Sequence, residues 1–551
     1  MRAVLYNAII LVQGLALLLG LPMLAVSCTQ TALAPAATQT PTATPTTTPA
    51  PAPTSTPILT PILGTPSESS VPQSIGDVGL YSVTDFGAVG DGKHDDSKAF
   101  QAAINAAAIE GGAVLVPSVG GGKGYVLTET VYVKPGVTLI GSLAGFAING
   151  SGAYLLPESF VKGPKIFARP SRLNTPLFQM EPGSTVRGLW ILYDQQPMPS
   201  DEEFQDPSSV YYYPSFEEAK RNFFRDHVKA YGPTFYIPWG DNVVIEDISA
   251  DRYYDFFFLK KGARVHVNRM LLYGYNKTFV VEESLDVNTI NDVSIVPGVG
   301  PTAPAHVEYL DKTWRWIYAI IASQPSNVGL HIGQSDGYNL SQLSFHGVHT
   351  AIRLGASYDF PIRDPVEGTT WSNSNAMGPW GQMSNILVDA CNVGIHFVWP
   401  TTMSTRISNL QIHLNYDDGS DFEASEGTGN LKNVARQAAF LFEPTYSRSN
   451  NISFIPTVLV SNFTGCSFTD PRYSPTSSIA SEANGRLFLV GGDVSMEFFG
   501  FLLMHPYDDE NLMIATASTA GDVNIRIRGY VRNGNPDVDK EVGKNGVKLM
   551  P

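Results

Sequence analysis

A short phrase recurs along most of this chain, and its spacing limits the folds that the chain can adopt. The phrase is a polar residue, an apolar residue, any residue and then usually another apolar residue. Its instances begin at Gly188, Asp247, Arg269, Asp292, Gln342, Asn385, Asn409 and Asn462. Neighbouring instances lie 22, 23 or 24 residues apart, and wider gaps of 50, 43 and 53 residues are near twice that. This period predicts a solenoid of parallel β rungs, with an irregular rung or an insertion at each wide gap and no helix interrupting the repeat.

The polar position of the phrase forms one vertical column, which is mostly Asn, Asp or Gln. Side chains in such a column can hydrogen-bond from rung to rung and form an internal polar ladder. Asp247, Arg269 and Asp292 also resemble a catalytic carboxylate pair clamped by arginine. Because uncharged Asn fills the same column later in the chain, we favour the ladder.

Residues 81–107 predict how the solenoid begins. A strand from Tyr81 to Phe86 leads into glycine turns, and Asp95 or Asp96 is the expected N-cap of an amphipathic helix. The helix has one narrow apolar stripe, formed by Ala99, Phe100, Ala103, Ile104 and Ala107. Short β-rich runs bounded by Gly and Pro follow directly. A helix in this place predicts a cap over the N-terminal end of the stacked β structure.

The same stretch resembles a known family. The run VTDFGAVGDGKHDDSKAFQAAINAA, followed by GGAVLVPS and KPGVTLIG, is similar to the opening of the pectin-lyase-like superfamily. The branch it resembles most is the rhamnogalacturonase/epimerase-like pectate lyase domain. The resemblance implies an all-β fold, a right-handed single-stranded parallel β-helix with an N-terminal capping α-helix, acting on polysaccharide outside the cell. It covers residues 81–150 and does not specify a reaction.

The chain is predicted to have three parts. Residues 1–28 read as a signal peptide whose LAVSC ending resembles a lipoprotein box, which implies a lipid on Cys28. The alternative is an ordinary secretory peptide with an incidental cysteine. Residues 29–78 are rich in Thr and Pro and predict a disordered tether. Residues 79–551 form the β-helix domain. We therefore expect an extracellular protein held at the cell surface only through its lipid.

Charge and cysteine content exclude some partners. The formal net charge is −15 and no basic run appears, which argues against nucleic acid. Cys391 and Cys466 lie in apolar, strand-like runs, so two separate buried thiols are favoured, although a disulfide between them stays open. No Cys–His cluster with zinc spacing occurs. The sequence specifies neither metal ligands nor an oligomeric state.

A second set of columns predicts one solvent-side face. Two apolar columns should point into the core, formed by Phe257, Phe279, Ile352 and Ile395 and by Leu259, Val281, Leu354 and Phe397. By strand alternation, the opposite face carries Phe258, Val280, Arg353 and His396. Lys260 and Glu282 share a neighbouring column, and Lys261 and Glu283 share the next. In the resembled fold this outward face commonly forms the substrate groove.

Two insertions are predicted to wall that groove. Residues 193–240 and 357–381 break the repeat and are dense in aromatic and polar side chains. Long loops in a regular solenoid tend to carry function, and aromatic rings beside polar groups suit sugar binding. The predicted substrate contacts are Phe258, Trp371, Trp380, Tyr236 and Trp239. The alternative is that these rings pack back onto the solenoid.

Three activities remain open from the sequence. A glycosidase needs two carboxylates about 5–9.5 Å apart, and adjacent rungs about 4.8 Å apart can supply them. The candidates are Asp255, Glu282, Glu283 and Asp336, with Arg353 and His396 nearby. A glycosidase would need no cofactor. A lyase resembling pectate lyases would use Arg353 and calcium.

The polygalacturonase motifs of this superfamily are absent in type and order, so no catalytic residue transfers from that group. That absence favours the third activity, a non-catalytic glycan-binding or structural surface module. For an enzyme, an extracellular polysaccharide is the expected partner. A polyuronate would need local arginine or a bound cation because the chain is acidic, whereas a neutral glycan would need neither.

Overall fold

The computed structural model describes residues 79–120, 122–142, 163–297, 315–357, 360–371, 379–398, 405–415, 438–443, 457–468, 486–490, 494–503, 514–516, 523–532 and 547–550. The chain divides into two units, Met1–Gln73 and Ser74–Pro551, and every described residue lies in the second. The predicted signal peptide, Cys28 and the tether lie outside the described residues. No helix in the described part is both long and apolar enough to span a membrane.

The described residues form 31 strands. The first half are β1 (Leu80–Ser82), β2 (Gly112–Leu115), β3 (Tyr125–Leu127), β4 (Val131–Val133), β5 (Val137–Ile140), β6 (Lys165–Ala168), β7 (Phe178–Met180), β8 (Thr185–Leu192), β9 (Phe235–Ile237), β10 (Gly240–Asp241), β11 (Val244–Tyr253), β12 (Phe257–Leu259), β13 (Gly262–Ala263), β14 (His266–Gly274), β15 (Lys277–Val281) and β16 (Asn288–Ile295). The second half are β17 (Val328–Ile332), β18 (Asp336–His346), β19 (Thr350–Leu354), β20 (Ile362–Arg363), β21 (Thr370–Trp371), β22 (Trp380–Cys391), β23 (Val393–Phe397), β24 (Thr405–Asn415), β25 (Ala438–Phe442), β26 (Thr457–Phe468), β27 (Arg486–Val490), β28 (Val494–Leu503), β29 (Ile514–Thr516), β30 (Val523–Arg532) and β31 (Val547–Met550).

The strands build a parallel β-helix, which confirms the predicted fold. The longer strands join a 16-stranded sheet in the order β1-β2-β5-β8-β11-β14-β16-β18-β22-β24-β26-β28-β30-β31, with β3 and β6 at its side. The shorter strands form an 11-stranded sheet in the order β29-β27-β25-β23-β19-β17-β15-β12-β9-β7-β4. Each rung thus adds one strand to each sheet, and pairing within both sheets is parallel.

Each long strand bends at one residue, and that residue is the polar position of the repeated phrase. The bend residues have φ between +53° and +56°, in the left-handed region, and they are Asp247, Arg269, Asp292, Gln342, Asn385, Asn409 and Asn462. Strand pairing passes over them: Glu246 pairs with Asn268 and Ile248 with Met270, while the residues between stay unpaired. Asn and Asp tolerate this conformation better than most residues. The recurrence of Asn and Asp in the phrase therefore follows from backbone geometry.

The bend residues form the predicted ladder, on the outside of the solenoid. Asn409 Nδ2 donates to Asn385 Oδ1 at 2.9 Å, and Asn462 Nδ2 donates to Asn409 Oδ1 at 3.0 Å. Arg269 makes a two-pronged contact with Asp247, at 2.6 and 2.7 Å. These three asparagines are exposed, so the expectation of an internal ladder is wrong in position. A side chain at an outward bend points away from the apolar interior.

The predicted N-terminal helix is present as α1 (Ser97–Ala107), and all five residues of its apolar stripe are buried. It packs on the first strands. Asp96 is the N-cap residue, but its carboxylate accepts from the backbone N–H groups of Val89, Gly90 and Val126. The N–H of Ser97 is bound by Asp95 instead. Both aspartates therefore hold the start of the helix, in different ways.

The expectation that no helix interrupts the repeat is wrong. The 193–240 insertion contains α2 (Asp201–Gln205) and α3 (Phe216–His227), and α4 (Arg315–Ser323) lies between β16 and β17. The aromatic ring of Phe204 in α2 packs against Phe223 of α3 and Trp316 of α4. The 50-residue gap between Asp292 and Gln342 therefore contains an insertion with a helix.

The ladder leads to a stability prediction at Asn409. Asn409→Ala removes two rung-to-rung hydrogen bonds. It also places alanine, which has no polar side chain to stabilise a positive φ, in the left-handed region. We expect a loss of about 1–3 kcal/mol in free energy of unfolding. Asn409→Gly loses the same bonds but relieves the backbone, so it should cost less. Thermal unfolding of both variants, with Ser408→Ala as the control, measures this. Equal stability of Asn409→Ala and the wild type would contradict a stabilising ladder.

Candidate functional site

One row of side chains follows the outer face of the 11-stranded sheet. Strand register aligns Tyr236, Phe258, Val280, His331, Arg353 and His396 on six successive rungs. We call these six residues the outer row. The alternate residues of the same strands, such as Phe279, Leu330 and Ile352, lie in the main core. Tyr236, Phe258 and Val280 instead belong to a separate apolar cluster, which shows that the row faces away from the core.

The outer row contains a hydrogen-bonded chain of three side chains. Arg353 Nε donates to His396 Nδ1 at 3.2 Å, and His396 Nε2 lies 2.8 Å from Glu443 Oε1. Because Nδ1 accepts from the guanidinium, Nε2 carries the proton and donates to the carboxylate. All three residues are buried. Burial lowers the pKa of Arg353 to about 10, so it remains cationic at neutral pH. Burial and the adjacent Arg353 hold the pKa of His396 well below its usual value.

His331 adds a second imidazole beside Arg353. Its Nε2 lies 2.8 Å from the carbonyl oxygen of Gly355, so Nε2 carries the proton and Nδ1 holds a lone pair. This Nδ1 is buried and has no hydrogen-bond partner. Burial, followed by the charge of Arg353, holds the pKa of His331 well below its usual value. The ring is therefore neutral at pH 7 and has an unused acceptor.

A lysine and an aspartate extend this polar region. Lys277 lies close enough to Arg353 and His331 to influence both, and burial lowers its pKa. Asp255 accepts from Asn276 Nδ2 at 2.7 Å and from the backbone N–H of Lys277 at 3.1 Å. Burial raises the pKa of Asp255. Shifted acids and bases gathered in one place are typical of functional sites.

A β-hairpin covers the outer row. Strands β20 and β21 pair antiparallel, and Trp371 lies 6.3 Å from the ring of Phe258. Tyr236 donates its hydroxyl to Asp364 at 2.7 Å. At the start of the hairpin, the Phe360 ring lies 4.9 Å from the Arg353 guanidinium and packs edge-on to His396 at 4.7 Å. The hairpin therefore covers the face that the sequence predicted to be a substrate groove walled by insertions.

Lysine and glutamate side chains fix the hairpin at its other end. Lys260 Nζ is hydrogen-bonded to Glu367 and lies 3.7 Å from Asp364 Oδ2. Asp364 is fully buried and also accepts from the backbone N–H groups of Val366 and Glu367. The carboxylate of Asp364 thus organises the hairpin turn and its attachment to the sheet.

Glu282 lies in the column beside the outer row and has an unusual environment. Its side chain is buried, and Oε2 has no hydrogen-bond partner. A Cβ placed on Gly333 would overlap with this oxygen and contact Ile362 of the hairpin, so a larger residue there would displace the Glu282 carboxyl group. Burial, followed by the charge of Glu283, raises the pKa of Glu282 to about 8. Glu282 is therefore protonated at neutral pH.

The other predicted site residues lie elsewhere. Glu283 forms a partly exposed ion pair with Lys261 at 3.1 Å. Asp336 is exposed at the start of β18 in the larger sheet and accepts from Trp380 Nε1 at 2.9 Å. Trp239 is 63% exposed. The structure thus brings together Arg353 and His396, and it places Glu282, Tyr236, Phe258 and Trp371 under the same hairpin, whereas the partners of Asp255 are Asn276 and Lys277. Tyr236 and Trp371 were predicted to contact substrate, but in this structure both pack between the hairpin and the solenoid, as the alternative interpretation expected.

Sequence reasoning missed His331 and Glu443, although a signal for the first was present. The strands β17, β19 and β23 read VGLHI, TAIRL and VGIHF, with apolar third and fifth positions around a basic fourth position. The insertion that contains α4 displaced β17 from the expected spacing and hid this match. Glu443 follows β25, whose rung lies within the 53-residue gap between Asn409 and Asn462.

Within the described residues, no group of three or more His, Cys, Asp or Glu side chains is arranged to hold a metal ion. Cys391 is a buried free thiol. Calcium therefore stays a prediction that depends on the lyase mechanism.

The described strands build a parallel β-helix, and its N-terminal part is similar to a known family. Residues 80–179 match the family model described as rhamnogalacturonase A/epimerase, pectate lyase-like. This match confirms the resemblance over that segment. No curated protein matches the chain.

Solved structures are similar to this chain only at low identity. The A-module of the Azotobacter vinelandii mannuronan C-5 epimerase AlgE4 is 13% identical, with a TM-score of 0.36, covering 82% of this chain and 100% of its own. The Streptococcus pneumoniae surface protein and adhesin PfbA is 14% identical, with a TM-score of 0.37, covering 82% and 97%. DFA-IIIase from Arthrobacter chlorophenolicus A6 is 10% identical, with a TM-score of 0.41, covering 86% and 99%. TM-scores this low carry no argument about function.

The environment of Glu282 predicts a pH-dependent stability. Because its folded-state pKa of about 8 exceeds the unfolded value, ionisation destabilises the fold. This penalty is absent at pH values below the unfolded pKa, grows as the pH rises toward 8 and is then constant. Glu282→Gln cannot ionise, so its free energy of unfolding relative to wild type should improve by about 3 kcal/mol between pH 5 and pH 8. The exposed Glu110→Gln is the control, and a difference that stays flat with pH would refute the buried, protonated state of Glu282.

Proposed function

We propose that the protein cleaves an extracellular acidic polysaccharide by β-elimination at the outer row. The observation that carries the proposal is the unpartnered Nδ1 of buried His331, one rung away from the cationic guanidinium of Arg353. β-Elimination needs a base for the proton beside a uronate carboxylate and a cation that stabilises the charge that develops there. His331 Nδ1 can act as the base, and the guanidinium of Arg353 can act as the cation.

The chemistry follows from the protonation states. His331 Nδ1 would accept the proton from the carbon next to the carboxylate. The electron pair of that C–H bond forms a C=C double bond, and the bond to the glycosidic oxygen breaks. The leaving oxygen then takes up a proton, from a protonated imidazole or from water. Arg353 would bind the carboxylate, while His396 and Glu443 hold the guanidinium in place.

The local charge supports an anionic substrate. The chain carries a net charge of −15, which repels polyuronates at long range. Arg353, which stays cationic, places positive charge on the outer face of the smaller sheet. Phe360 covers both Arg353 and His396 in this structure, so substrate would reach them only after the start of the hairpin moves.

A second candidate is a non-catalytic glycan-binding or structural surface module. The observation that favours it is the burial of the whole outer row under the hairpin. In this reading, the buried polar chain fixes the hairpin on the sheet, and glycan binds to exposed aromatic rings such as Trp239.

The elimination is tested with a panel of acidic and neutral polysaccharides, with and without calcium and chelator. We expect reducing ends together with the ultraviolet absorbance of an unsaturated uronide. His331→Gln and Arg353→Ala should each lower the rate by about 10²-fold or more, and the exposed Arg363→Ala is the matched control. Phe360→Ala should raise activity if opening of the hairpin limits the rate.

Two other outcomes would replace the proposed elimination, and one would add a metal ion to it. Reducing ends without the unsaturated product would indicate hydrolysis and direct mutagenesis to Asp255, Glu282, Glu283 and Asp336. Activity lost on chelation would add a calcium site to the lyase. Binding without cleavage across the panel would support the surface module.

The proposed location is the outer surface of the cell, with the domain held by a lipid on Cys28. Cys28→Ser should move the protein from the membrane fraction to the medium without changing its unfolding temperature. Retention of that variant in the membrane fraction would contradict the lipid anchor.

A further inference from the structure

The larger sheet carries a second set of reactive side chains, separate from the outer row. Ser344 and His346 lie two residues apart on β18 and therefore on the same face of the strand. Asp389 of β22 lies in register with His346 on the next rung. All three are partly exposed. They are not among the residues that the proposed elimination uses.

The three side chains form a continuous hydrogen-bonded series. His346 Nδ1 lies 3.1 Å from Asp389 Oδ2, and His346 Nε2 lies 2.9 Å from Ser344 Oγ. Because a carboxylate only accepts, Nδ1 carries the proton and Nε2 has the lone pair. The hydroxyl of Ser344 therefore donates to Nε2. A hydroxyl, an imidazole and a carboxylate in this order have the geometry of a serine nucleophile, its general base and the group that orients the base.

The surroundings of Asp389 keep it ionised. Burial raises the pKa of Asp389, but the hydrogen bonds and charges of His346 and His413 outweigh burial and hold it well below its usual range. His413 lies on the following rung, with Nδ1 3.6 Å from Asp389 Oδ1, and its Nε2 contacts Gln411 at 2.6 Å. An ionised Asp389 can stabilise the imidazolium that forms when His346 takes up a proton.

A neighbouring serine can complete the site. Ser294 of β16 lies in register with Ser344 on the preceding rung and is also partly exposed. Its side chain is on the same face of the sheet, and neighbouring strands are about 4.8 Å apart along the stack. A donor at this distance can bind the negative oxygen of a tetrahedral intermediate. The groups lie on the face of a sheet, which suits a short acyl group on a larger alcohol.

We propose that Ser344, His346 and Asp389 form a serine esterase site that hydrolyses short-chain carboxylic esters. Ser344 Oγ attacks the ester carbonyl carbon while His346 Nε2 takes the hydroxyl proton. The C–O bond to the alcohol then breaks, and the alcohol leaves with the proton from His346. Water attacks the acyl-serine, again losing a proton to His346, and that proton returns to Ser344 as the carboxylic acid is released. Asp389 acts as a positioning residue through His346.

The alternative is a purely structural role, in which polar side chains on the outside of a sheet bond to their nearest neighbours. That role predicts an unreactive serine, since a hydroxyl without an effective base is a weak nucleophile. Reactivity of Ser344 toward an electrophile therefore distinguishes the two roles. This site shares no residue with the outer row, so its test is independent of the proposed elimination.

The experiment treats the folded full-length protein with a fluorophosphonate reagent and locates the modified residue by peptide mass spectrometry. We expect labelling at Ser344 and turnover of p-nitrophenyl acetate. Both should disappear in Ser344→Ala and fall by about 10²-fold in His346→Gln. Ser408→Ala, a partly exposed serine of the same sheet, is the control and should retain both.

Two further readouts keep the test decisive. Asp389→Asn should slow labelling and change its pH profile, whereas a packing role would leave the pH profile of any reaction unchanged. Unfolding temperatures identify any variant that fails to fold, and the wild-type labelling result does not depend on them. A folded wild-type protein whose Ser344 is not labelled, or labelling unaffected by His346→Gln, would overturn the esterase site.

Discussion

The left-handed bend residue of each rung is the constraint on which the rest of the structure depends. Asp247, Asn385 and the other bend residues turn each long strand at the same point, and strand pairing passes over them without losing register. Because every rung bends at the same place, a given position in one rung lies directly above the same position in the next. Side chains at that position then form a row at the spacing of hydrogen-bonded strands, about 4.8 Å. Both candidate sites are such rows.

Rows of titratable groups at this spacing are electrostatically costly unless some of them are neutral. The outer row meets this condition with one cationic guanidinium between two imidazoles, which burial and that charge keep neutral. Glu443 compensates the guanidinium through His396. On the larger sheet, the row of His346, Asp389 and His413 alternates basic and acidic groups, so each imidazole lies beside a carboxylate. The same stacking of rungs thus produces the buried outer row with its cationic Arg353 on one face. On the larger sheet it produces a partly exposed row of alternating basic and acidic side chains.

The sequence predicted the fold because the bend leaves a direct trace in composition. Few residue types tolerate a positive φ, so Asn, Asp and Gly recur at a fixed spacing that can be read without a structure. Arg353 and His396 were placed on the outward face for a related reason, the strict alternation of side chains along a strand. The sequence thus identified the face opposite the core, although it did not identify His331 and Glu443 there.

The remaining features of the site depend on tertiary contacts that no local pattern encodes. The hairpin that begins at Phe360 folds back over the sheet through bonds to Tyr236 and Lys260, which are more than 100 residues away in the chain. The sequence therefore predicted that the insertion at residues 357–381 walls the groove, whereas the hairpin covers it. The protonated state of Glu282 depends on its burial beside Gly333, and His331 was hidden by an inserted helix.

The pairing of each strand only with its two neighbours also bears on how such a molecule can change over evolutionary time. Stability in a stack of this kind is approximately a sum of local terms between adjacent coils. An excursion such as the one that contains α4 leaves and rejoins the stack between β16 and β17 while the long strands on either side, β16 and β18, remain paired. Chain length can therefore be added at the edges of the coils without altering the lattice beneath. In such a scaffold, insertions can create new surface while the strand pairing that maintains the fold stays unchanged.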